Sequence, residues 1–321
     1  RMMARALIAL AALACFAASL LLPWESLSTL FAADPDLGWA LLTELRLPRA
    51  LLALIYGAML GAAGAAIQAL FANPLASPDL TGATSGAALG AVVTAYLIGL
   101  SGAFAMALGA VTGAGLSLLL LIGLAGRRAD TSTLLLAGLA ITSIAGALTT
   151  LALALAPSPF AFYDAYAWLM GSLTDRSLEQ LAFAGIPAII AIVWLASLAP
   201  ALDRLALGEE VAESMGYSLA RLRIRIVCLS ALGVGACVAI CGAVGFIGLV
   251  APVFARRLTG GHPGRAILPA ALIGALLLSL ADLLSSLAPL GRILPIGVIT
   301  ALVGAPFFLW LVVRMRWRMQ P

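Results

Sequence analysis

One stretch of this chain constrains its fold more than any other, because it carries no charge over 22 consecutive residues. It runs from Ala50 to Phe71 and follows the motif RLPR at 46–49, in which Pro48 is expected to set a sharp helix start. At about 1.5 Å per residue, a helix of this length crosses a hydrocarbon core of about 30 Å. We predict that this run is a membrane-spanning helix.

Glycines and prolines interrupt this stretch and the residues that follow it. Gly57, Gly61 and Gly64 fall on roughly one helical face, so we expect another helix to approach closely there. The run ends in two proline turns within 73–79, and a second row of glycines follows over 82–90. Irregular backbone at membrane depth is tolerated only where protein or water satisfies it, so this pattern is typical of a wall that lines a pathway.

The composition places the whole chain in a membrane, because 63% of its residues are hydrophobic and only 10% are charged. No hydrophilic stretch is long enough for a soluble domain, so we predict one all-α, polytopic membrane domain over 1–321 with about ten transmembrane helices. An extracytoplasmic loop is expected over 24–45 and an interfacial helix within 157–180. The predicted spans are 1–22, 50–71, 85–100, 103–125, 134–155, 181–198, 226–243, 245–257, 267–287 and 296–313.

The distribution of arginine predicts the orientation of these spans. All 18 basic residues are Arg, and with the amino terminus inside, fourteen fall on the inner side and four on the outer side. The outer four are at positions 46, 49, 176 and 292. This bias predicts that both termini are cytoplasmic, and it attributes the net charge of +4 to topology rather than to nucleic-acid binding. The loop 200–225 is then cytoplasmic, and its helical spacing indicates two short helices outside the membrane.

Patterns of catalysis and metal binding are missing from the sequence. His262 is the only histidine, which excludes a histidine cluster or a histidine-based triad within the chain. The four cysteines lie in apolar runs and form no paired metal motif. There is no phosphate loop of the Gly-x4-Gly-Lys type either. We therefore expect no enzyme activity, no metal and no cofactor in this chain.

Asp282 is the main ionisable residue inside a predicted span. An intramembrane carboxylate suggests a functional site, such as a proton relay. Because Asp282 lies late in its span, it could instead cap a helix or pair near the outer surface. An ion-coupled secondary transporter or a channel for a small solute therefore stays an alternative function, although such transporters usually need more intramembrane polar groups.

Six motifs spread over the chain carry a resemblance to one known family. They are RLPR at 46–49, ANPLASPDLTG at 72–82, WLMGSLTDRS at 168–177, LALGEEVAESMG at 205–216, GFIGLVAP at 245–252 and LPIGVITALVGAPFF at 294–308. From about Arg46 to Leu311, the chain is similar to the FecCD-type permeases of bacterial importers of the ATP-binding cassette (ABC) type. Such importers carry iron–siderophore complexes, haem or cobalamin.

The resemblance implies a ten-span subunit of a homodimer in the bacterial inner membrane, with the translocation pathway on the two-fold axis. Two ATPase subunits would dock on the cytoplasmic face and bind the ATP and Mg²⁺. A periplasmic substrate-binding protein would dock on the outer face. Import would then proceed by alternating access, with the energy supplied by the ATPase partner.

The resemblance also implies roles for individual residues. The arginines that pair with carboxylates of the binding protein match Arg46 and Arg49, with Arg292 in place of a third. The two constrictions of the pathway match Asn73, Leu75, Thr131 and Ser132. The coupling helices that contact the ATPase, expected within 200–220, match Leu205, Leu207, Gly208, Glu209, Glu210, Glu213, Met215 and Gly216. The alternatives are that the arginines only anchor a helix at the interface and that the 200–225 loop is a solvated connector.

Two departures from the family pattern limit these expectations. Val253 follows Pro252 where the family commonly has a histidine, so the role of that histidine is not filled here. Ser286 lies near the place where a third outer arginine is often found. No residue identifies the substrate, so siderophore, haem and cobalamin all stay open.

Overall fold

The computed structural model describes residues 2–100, 102–125, 131–287 and 294–318, and no strand occurs in these ranges. The α-helices are α1 (Met2–Leu21), α2 (Trp24–Ala33), α3 (Pro35–Ala40), α4 (Leu47–Leu70), α5 (Ala83–Tyr96), α6 (Ala103–Ala125), α7 (Thr131–Ala154), α8 (Pro159–Leu169), α9 (Leu178–Ser197), α10 (Ala199–Leu205), α11 (Glu209–Ser214), α12 (Leu219–Cys241), α13 (Ile247–Leu258), α14 (Ile267–Ser286) and α15 (Ile296–Arg318). A π-helix covers Leu41–Arg46, and 3₁₀-helices cover Pro78–Thr81 and Gly264–Ala266. The predicted all-α class is confirmed.

Seven segments of the described chain are long and apolar enough to cross a membrane. They are Met3–Leu21, Pro35–Leu70, Phe104–Leu124, Ser132–Ala154, Leu178–Ser197, Leu219–Cys241 and Gly264–Ser286. Helices α5 and α13 are shorter, at 14 and 12 residues, and the apolar part of α15 covers Ile296–Leu311. A helical membrane protein with several spans is therefore confirmed, while the number of about ten stays a prediction.

Helix α4 does not start sharply at Pro48. Helix α3, the π-helix and α4 follow one another without a break from Pro35 to Leu70. Proline lacks the N–H that would bond to the preceding turn, and the wider π turn ahead of Pro48 lets the helix continue. The sharp helix start predicted at Pro48 is wrong, and the segment 24–45, predicted as a loop, is mostly helical.

The prediction of two short helices within the loop 200–225 is confirmed, while its cytoplasmic side stays a prediction. The two helices are α10, which begins one residue earlier at Ala199, and α11. Helix α12, however, begins at Leu219, seven residues before the predicted start at Ile226. The three arginines between these positions are good helix formers, so the change from charged to apolar side chains does not mark a helix end. The helix predicted within 157–180 is present as α8.

Helix α4 is the central element of the fold. It packs against α14, α9, α13 and α12, and 17 of its 24 residues are buried. Tyr56, Met59 and Ile67 are among the fully buried large side chains. A helix that is apolar on all sides is expected in the interior of a helical assembly, because each face needs an apolar neighbour.

The predicted glycine face of α4 is confirmed as a close helix–helix contact. A Cβ atom on Gly57 would overlap the carbonyl oxygen of Gly274, and one on Gly61 would overlap that of Ala270. A Cβ atom on Gly64 would likewise overlap the carbonyl oxygen of Gly248. Small residues therefore let the backbone of α4 lie directly against α14 and the start of α13. The same arrangement recurs where α5 meets α6.

Candidate functional site

Arg49, in the first turn of α4, forms an ion pair with Asp282 of α14. Its Nε atom donates to the two carboxylate oxygens at 2.8 and 3.1 Å. Ser19 of α1 donates to the same carboxylate at 3.2 Å. The Asp282 side chain is 0% exposed and that of Arg49 is 17% exposed, so the pair joins three helices away from solvent. The prediction that Asp282 pairs near the end of its span is confirmed.

Arg46, at the end of the π-helix, contacts the turn between α1 and α2. Its Nη1 atom donates to the carbonyl oxygen of Leu20 at 2.8 Å, and its Nη2 atom donates to Ser26 Oγ at 3.2 Å. These partners are neutral, so the charge of Arg46 is not cancelled by a carboxylate among the described contacts. Arg292, the third predicted docking residue, lies outside the described residues. Docking of a binding protein by these arginines stays a prediction.

The first predicted constriction lies in the turn between α4 and the 3₁₀-helix. Asn73 Oδ1 accepts a hydrogen bond from the Leu75 backbone N–H at 2.9 Å, and the Asn73 N–H donates to Gln68 O at 3.1 Å. Ala72 has a φ of 47°, a left-handed conformation that is unusual for a residue with a side chain. The Asn73 amide oxygen therefore stabilises a tight turn directly after α4.

Leu75 packs into a small apolar cluster at the same turn. The cluster is formed by Leu249 and Val250 of α13 and by Leu311 of α15, with Val253 also against it. Val253 therefore makes an apolar contact at the position where the family commonly has histidine. The predicted constriction residue Leu75 thus packs against a cluster to which α13 and α15 both contribute.

The second predicted constriction lies at the start of α7. Thr131 is the first residue of the helix, and its side chain lies outside the description. Ser132 is exposed. Further along α7, Thr142 Oγ1 donates to the carbonyl oxygen of Asp79 at 3.2 Å, and α7 packs against the 3₁₀-helix. Helix α7, which carries the second predicted constriction, therefore contacts the 3₁₀-helix Pro78–Thr81 that follows the turn of the first.

Two polar residues in this region were not predicted from the sequence: Asp79, which is half-buried, and Gln68, which is fully buried. Burial raises the pKa of the Asp79 carboxyl above its usual value. Gln68 is 0% exposed, and its Nε2 atom donates to the carbonyl oxygen of Leu249 at 3.2 Å. Its Oε1 atom has no partner among the described residues. In the sequence, Gln68 is visible only as a single amide side chain in an apolar run. Its hydrogen-bond partner, Leu249 of α13, lies 181 residues further along the chain.

Helix α10 is attached to the body of the protein. Asp203 Oδ1 accepts a hydrogen bond from the Gly264 N–H at 2.8 Å, and the Arg204 guanidinium lies 5.3 Å from the centre of the Tyr217 ring. Leu202 is fully buried. Leu205, the last residue of α10, is half-buried against the core. This part of the predicted coupling segment therefore has its partners within the chain.

Helix α11 projects from the body instead. Gly208 and Gly216, with φ angles of 114° and 87°, stand on either side of it, and Glu209 pairs with Arg223 of α12. Glu210, Glu213 and Ser214 are exposed. Three apolar side chains on and beside the helix are also exposed: Leu207 by 64%, Val211 by 42% and Met215 by 53%. A short helix outside the spans thus presents apolar residues that the described chain does not cover.

Comparison with known sequences decides the family. The sequence profile of the FecCD transport family matches residues 6–314. This chain belongs to the FecCD transport family. The resemblance predicted from its motifs is confirmed, and with it the class of permease subunits of ABC importers.

Curated relatives of this FecCD chain include permeases named for vitamin B12 import. It is 41% identical over 295 residues to the vitamin B12 import system permease protein BtuC of Vibrio cholerae serotype O1, covering 88% of this chain and 86% of that protein. It is 42% identical over 277 residues to the protein of the same name from Salmonella typhi, covering 84% and 83%. The match therefore extends over most of both proteins.

Solved structures support the same fold. One described as an inward-facing conformation of a metal-chelate type ABC transporter superposes with a TM-score of 0.86 at 29% identity, covering 98% of this FecCD chain and 100% of the other. PsaBC from Streptococcus pneumoniae superposes with a TM-score of 0.52 at 18% identity, covering 81% and 90%. At that lower identity the likeness concerns the fold alone.

Proposed function

We propose that this chain is the membrane permease of an ABC importer that moves cobalamin, or an iron chelate, from the periplasm to the cytoplasm. Cobalamin is the first candidate because the curated relatives at 41% and 42% identity are vitamin B12 import permeases. An iron chelate is the second, because the metal-chelate type transporter shares 29% identity and nearly the whole fold.

The observation that carries the proposal is the uncovered apolar surface on and beside α11. Val211 on this helix and Leu207 and Met215 beside it are exposed, and they lie outside the apolar spans. An amphipathic helix with an apolar face needs a complementary groove on a partner. We propose that two ATPase subunits supply this groove and bind the ATP and Mg²⁺. Residues 205–216 would then transmit the movement of the ATPases to α12 through the Glu209–Arg223 pair.

A homodimer is proposed because two helices carry long exposed apolar faces that the chain itself leaves uncovered. On α7 these include Leu136, Leu139, Ile144 and Leu151, and on α15 they include Leu302, Val303 and Leu309. Helix α7 packs against the 3₁₀-helix Pro78–Thr81, and α15 packs against α13. Both therefore lie beside the turn that holds Asn73 and Leu75. A second copy facing these helices would enclose a pathway with Asn73, Leu75, Thr131 and Ser132 at its narrow points.

The proposed topology has ten spans with both termini in the cytoplasm. It adds α5, α13 and α15 to the seven segments that are long and apolar enough by themselves. The excess of arginine at the loops assigned to the inner side supports this orientation. The bacterial inner membrane is the proposed location.

Docking of a periplasmic binding protein is proposed at the end of the molecule that carries Arg46 and Arg49, and the sequence resemblance adds Arg292 as a third docking residue. Arg46 is favoured, because its partners are neutral and its charge is available to a carboxylate. Arg49 already shares its charge with Asp282. That ion pair also weakens the ion-coupled alternative, since a proton relay needs a carboxyl group that can exchange protons freely.

Uptake into sealed vesicles tests the proposed function. The chain is reconstituted with its ATPase subunits and binding protein, and labelled cobalamin, ferric siderophore and haem are offered in separate assays. We expect ATP-driven, vanadate-sensitive uptake of cobalamin above the other two. Uptake of the iron chelate alone would select the second candidate, and uptake driven by an ion gradient without ATPase would refute the importer.

A further inference from the structure

A cleft between α9 and α12 combines two unpaired arginines with an apolar groove. At one end, a cavity of about 320 Å³ lies between the carboxyl end of α9 and the amino end of α12. Arg221 and Arg225 line it together with Ser197 and Ser218. Both arginines are exposed, and neither has a carboxylate partner within the part of the chain that the structure describes.

Arg223, which lies between these two arginines in the sequence, does have a carboxylate partner. Arg223 lies two residues from each, about 200° around the helix, and pairs with Glu209 of α11. Arg221 and Arg225 therefore lie on the other side of α12 from the Glu209 contact, in a cavity that Gly216, just after α11, also lines. The Ser218 side chain makes no cap hydrogen bond, so its hydroxyl and the first N–H groups of α12 add donors at the same end of the cleft.

The same face of α12 continues into an apolar groove. Ile224 and Leu232 are 37% and 50% exposed. The spacing 221–225–228–232 keeps Leu232 on the same side of the helix as Arg221 and Arg225. A second cavity, of about 420 Å³, opens further along between α6, α9 and α12. Leu232 and Gly235 line it from α12, and Ile186 lines it from α9.

Exposed apolar side chains of α9 lie along the helix between the levels of the two cavities. Ile186, Ile190 and Trp194 recur every four residues, and they are 58%, 49% and 61% exposed. Ser197, one turn further, lines the basic end. The helical rise places Leu232 about 10 Å beyond Arg225, within the depth of about 15 Å of one leaflet's hydrocarbon. The cleft is thus cationic at its end and apolar at membrane depth.

We propose that this cleft binds an anionic phospholipid of the cytoplasmic leaflet. Its phosphate would be held by Arg221, Arg225 and the Ser218 hydroxyl, and an acyl chain would lie along Trp194 and Leu232. Basic pockets between spanning helices favour anionic headgroups because charge attraction is added to burial of the chain. The proposal uses the orientation proposed above only to name the leaflet, since the charge and the groove belong to the chain in either orientation.

Quenching of Trp194 by brominated lipids tests the site directly. The full chain is placed in bilayers that contain brominated phosphatidylglycerol or brominated phosphatidylcholine. The Trp194 signal is the difference between the wild-type chain and Trp194→Phe, because the chain holds six tryptophans. We expect phosphatidylglycerol to be preferred over phosphatidylcholine at Trp194 by about ten-fold, a preference that Arg221→Gln with Arg225→Gln abolishes.

Arg223→Gln is the control, matched to each single variant Arg221→Gln and Arg225→Gln, since it removes one arginine charge from the same helix but from the other side. It should keep the preference. Equal quenching by the two lipids in the wild-type chain, or an equal loss of preference in Arg223→Gln, would overturn the proposal. The proposal would also be overturned if inorganic phosphate alone displaced the lipid from the cleft. If the double variant does not elute as a folded protein, the two single variants decide, each with a partial loss.

Two further outcomes separate this site from the proposed function. If the double variant keeps its lipid preference but no longer binds the ATPase subunits, the arginines belong to the ATPase interface and the lipid site is refuted. Quenching is measured without ATP or substrate, so a failure of vesicle uptake would leave the lipid result standing. Loss of the lipid preference would likewise not refute the proposed import function.

Discussion

The Nε atom of Arg49 lies 2.8 Å from Oδ1 of Asp282, although 233 residues separate the two along the chain. The pair joins α4 to α14 at the end of a contact that continues through Gly57 and Gly61. An ion pair at one end and close glycine contacts along the helices therefore hold α4 against α14.

Breaking this ion pair from one side should destabilise the protein. Asp282→Asn leaves the Arg49 guanidinium only 17% exposed and without its counter-charge, which we expect to cost about 3 kcal/mol of unfolding free energy. Thermal unfolding in detergent measures the loss. Arg49→Gln should cost a similar amount, and the two changes together should cost clearly less than their sum. Additive losses would show that the two side chains do not act as a pair.

Because α4 packs closely at its glycines, we expect alanine to destabilise the protein at Gly61 but not at a glycine outside the contact. Gly61→Ala places a methyl group against the carbonyl oxygen of Ala270, so we expect a loss of about 3 kcal/mol or failure to fold. Gly123→Ala, on α6 where no atom lies within 4 Å of the added carbon, should be neutral or slightly stabilising. The yield and melting temperature of the purified variants measure both. A tolerant Gly61 would contradict the close approach of α4 and α14.

Charge reversal at Arg46 tests the proposed docking surface. Arg46→Glu should weaken the affinity for the periplasmic binding protein by about ten-fold, mainly at low salt, because a charge that attracts a carboxylate becomes one that repels it. Reversal of the partner carboxylate should restore binding. Arg176→Glu is the control, since its guanidinium donates to Ser172 O and it has no predicted docking role. Unchanged affinity in Arg46→Glu would leave this arginine as an anchor for the α1–α2 turn.

Much of the architecture could be predicted from the sequence, because apolar run length and small-residue spacing are local signals. The glycines at 57, 61 and 64 correctly predicted a close helix contact, but their partners Gly274, Ala270 and Gly248 could not be predicted. Those partners lie far along the chain, and spacing within one helix contains no information about which other helix faces it.

The site was predicted less completely, for the same reason. Asp282 was identified as an unusual intramembrane carboxylate, yet its pairing with Arg49 follows only from the packing of α4 on α14. Gln68 was missed because a single amide in an apolar run looks like a packing residue until its bond to Leu249 O is seen. Helix boundaries at Pro48 and Leu219 were misjudged where a π turn and charged helix formers overrode the local signal.

ATP-driven uptake by an α11 variant tests the central proposal most directly. Leu207→Asp with Met215→Asp puts charge on side chains that are 64% and 53% exposed, so the fold should be kept. Leu97→Asp, at a 78% exposed apolar residue after α5, is the control. In vesicles with the ATPase subunits and binding protein, we expect the α11 variant to lose ATP-driven uptake and ATPase binding while the control keeps both. Wild-type uptake by the α11 variant would contradict the proposal that the ATPases drive this permease through residues 205–216.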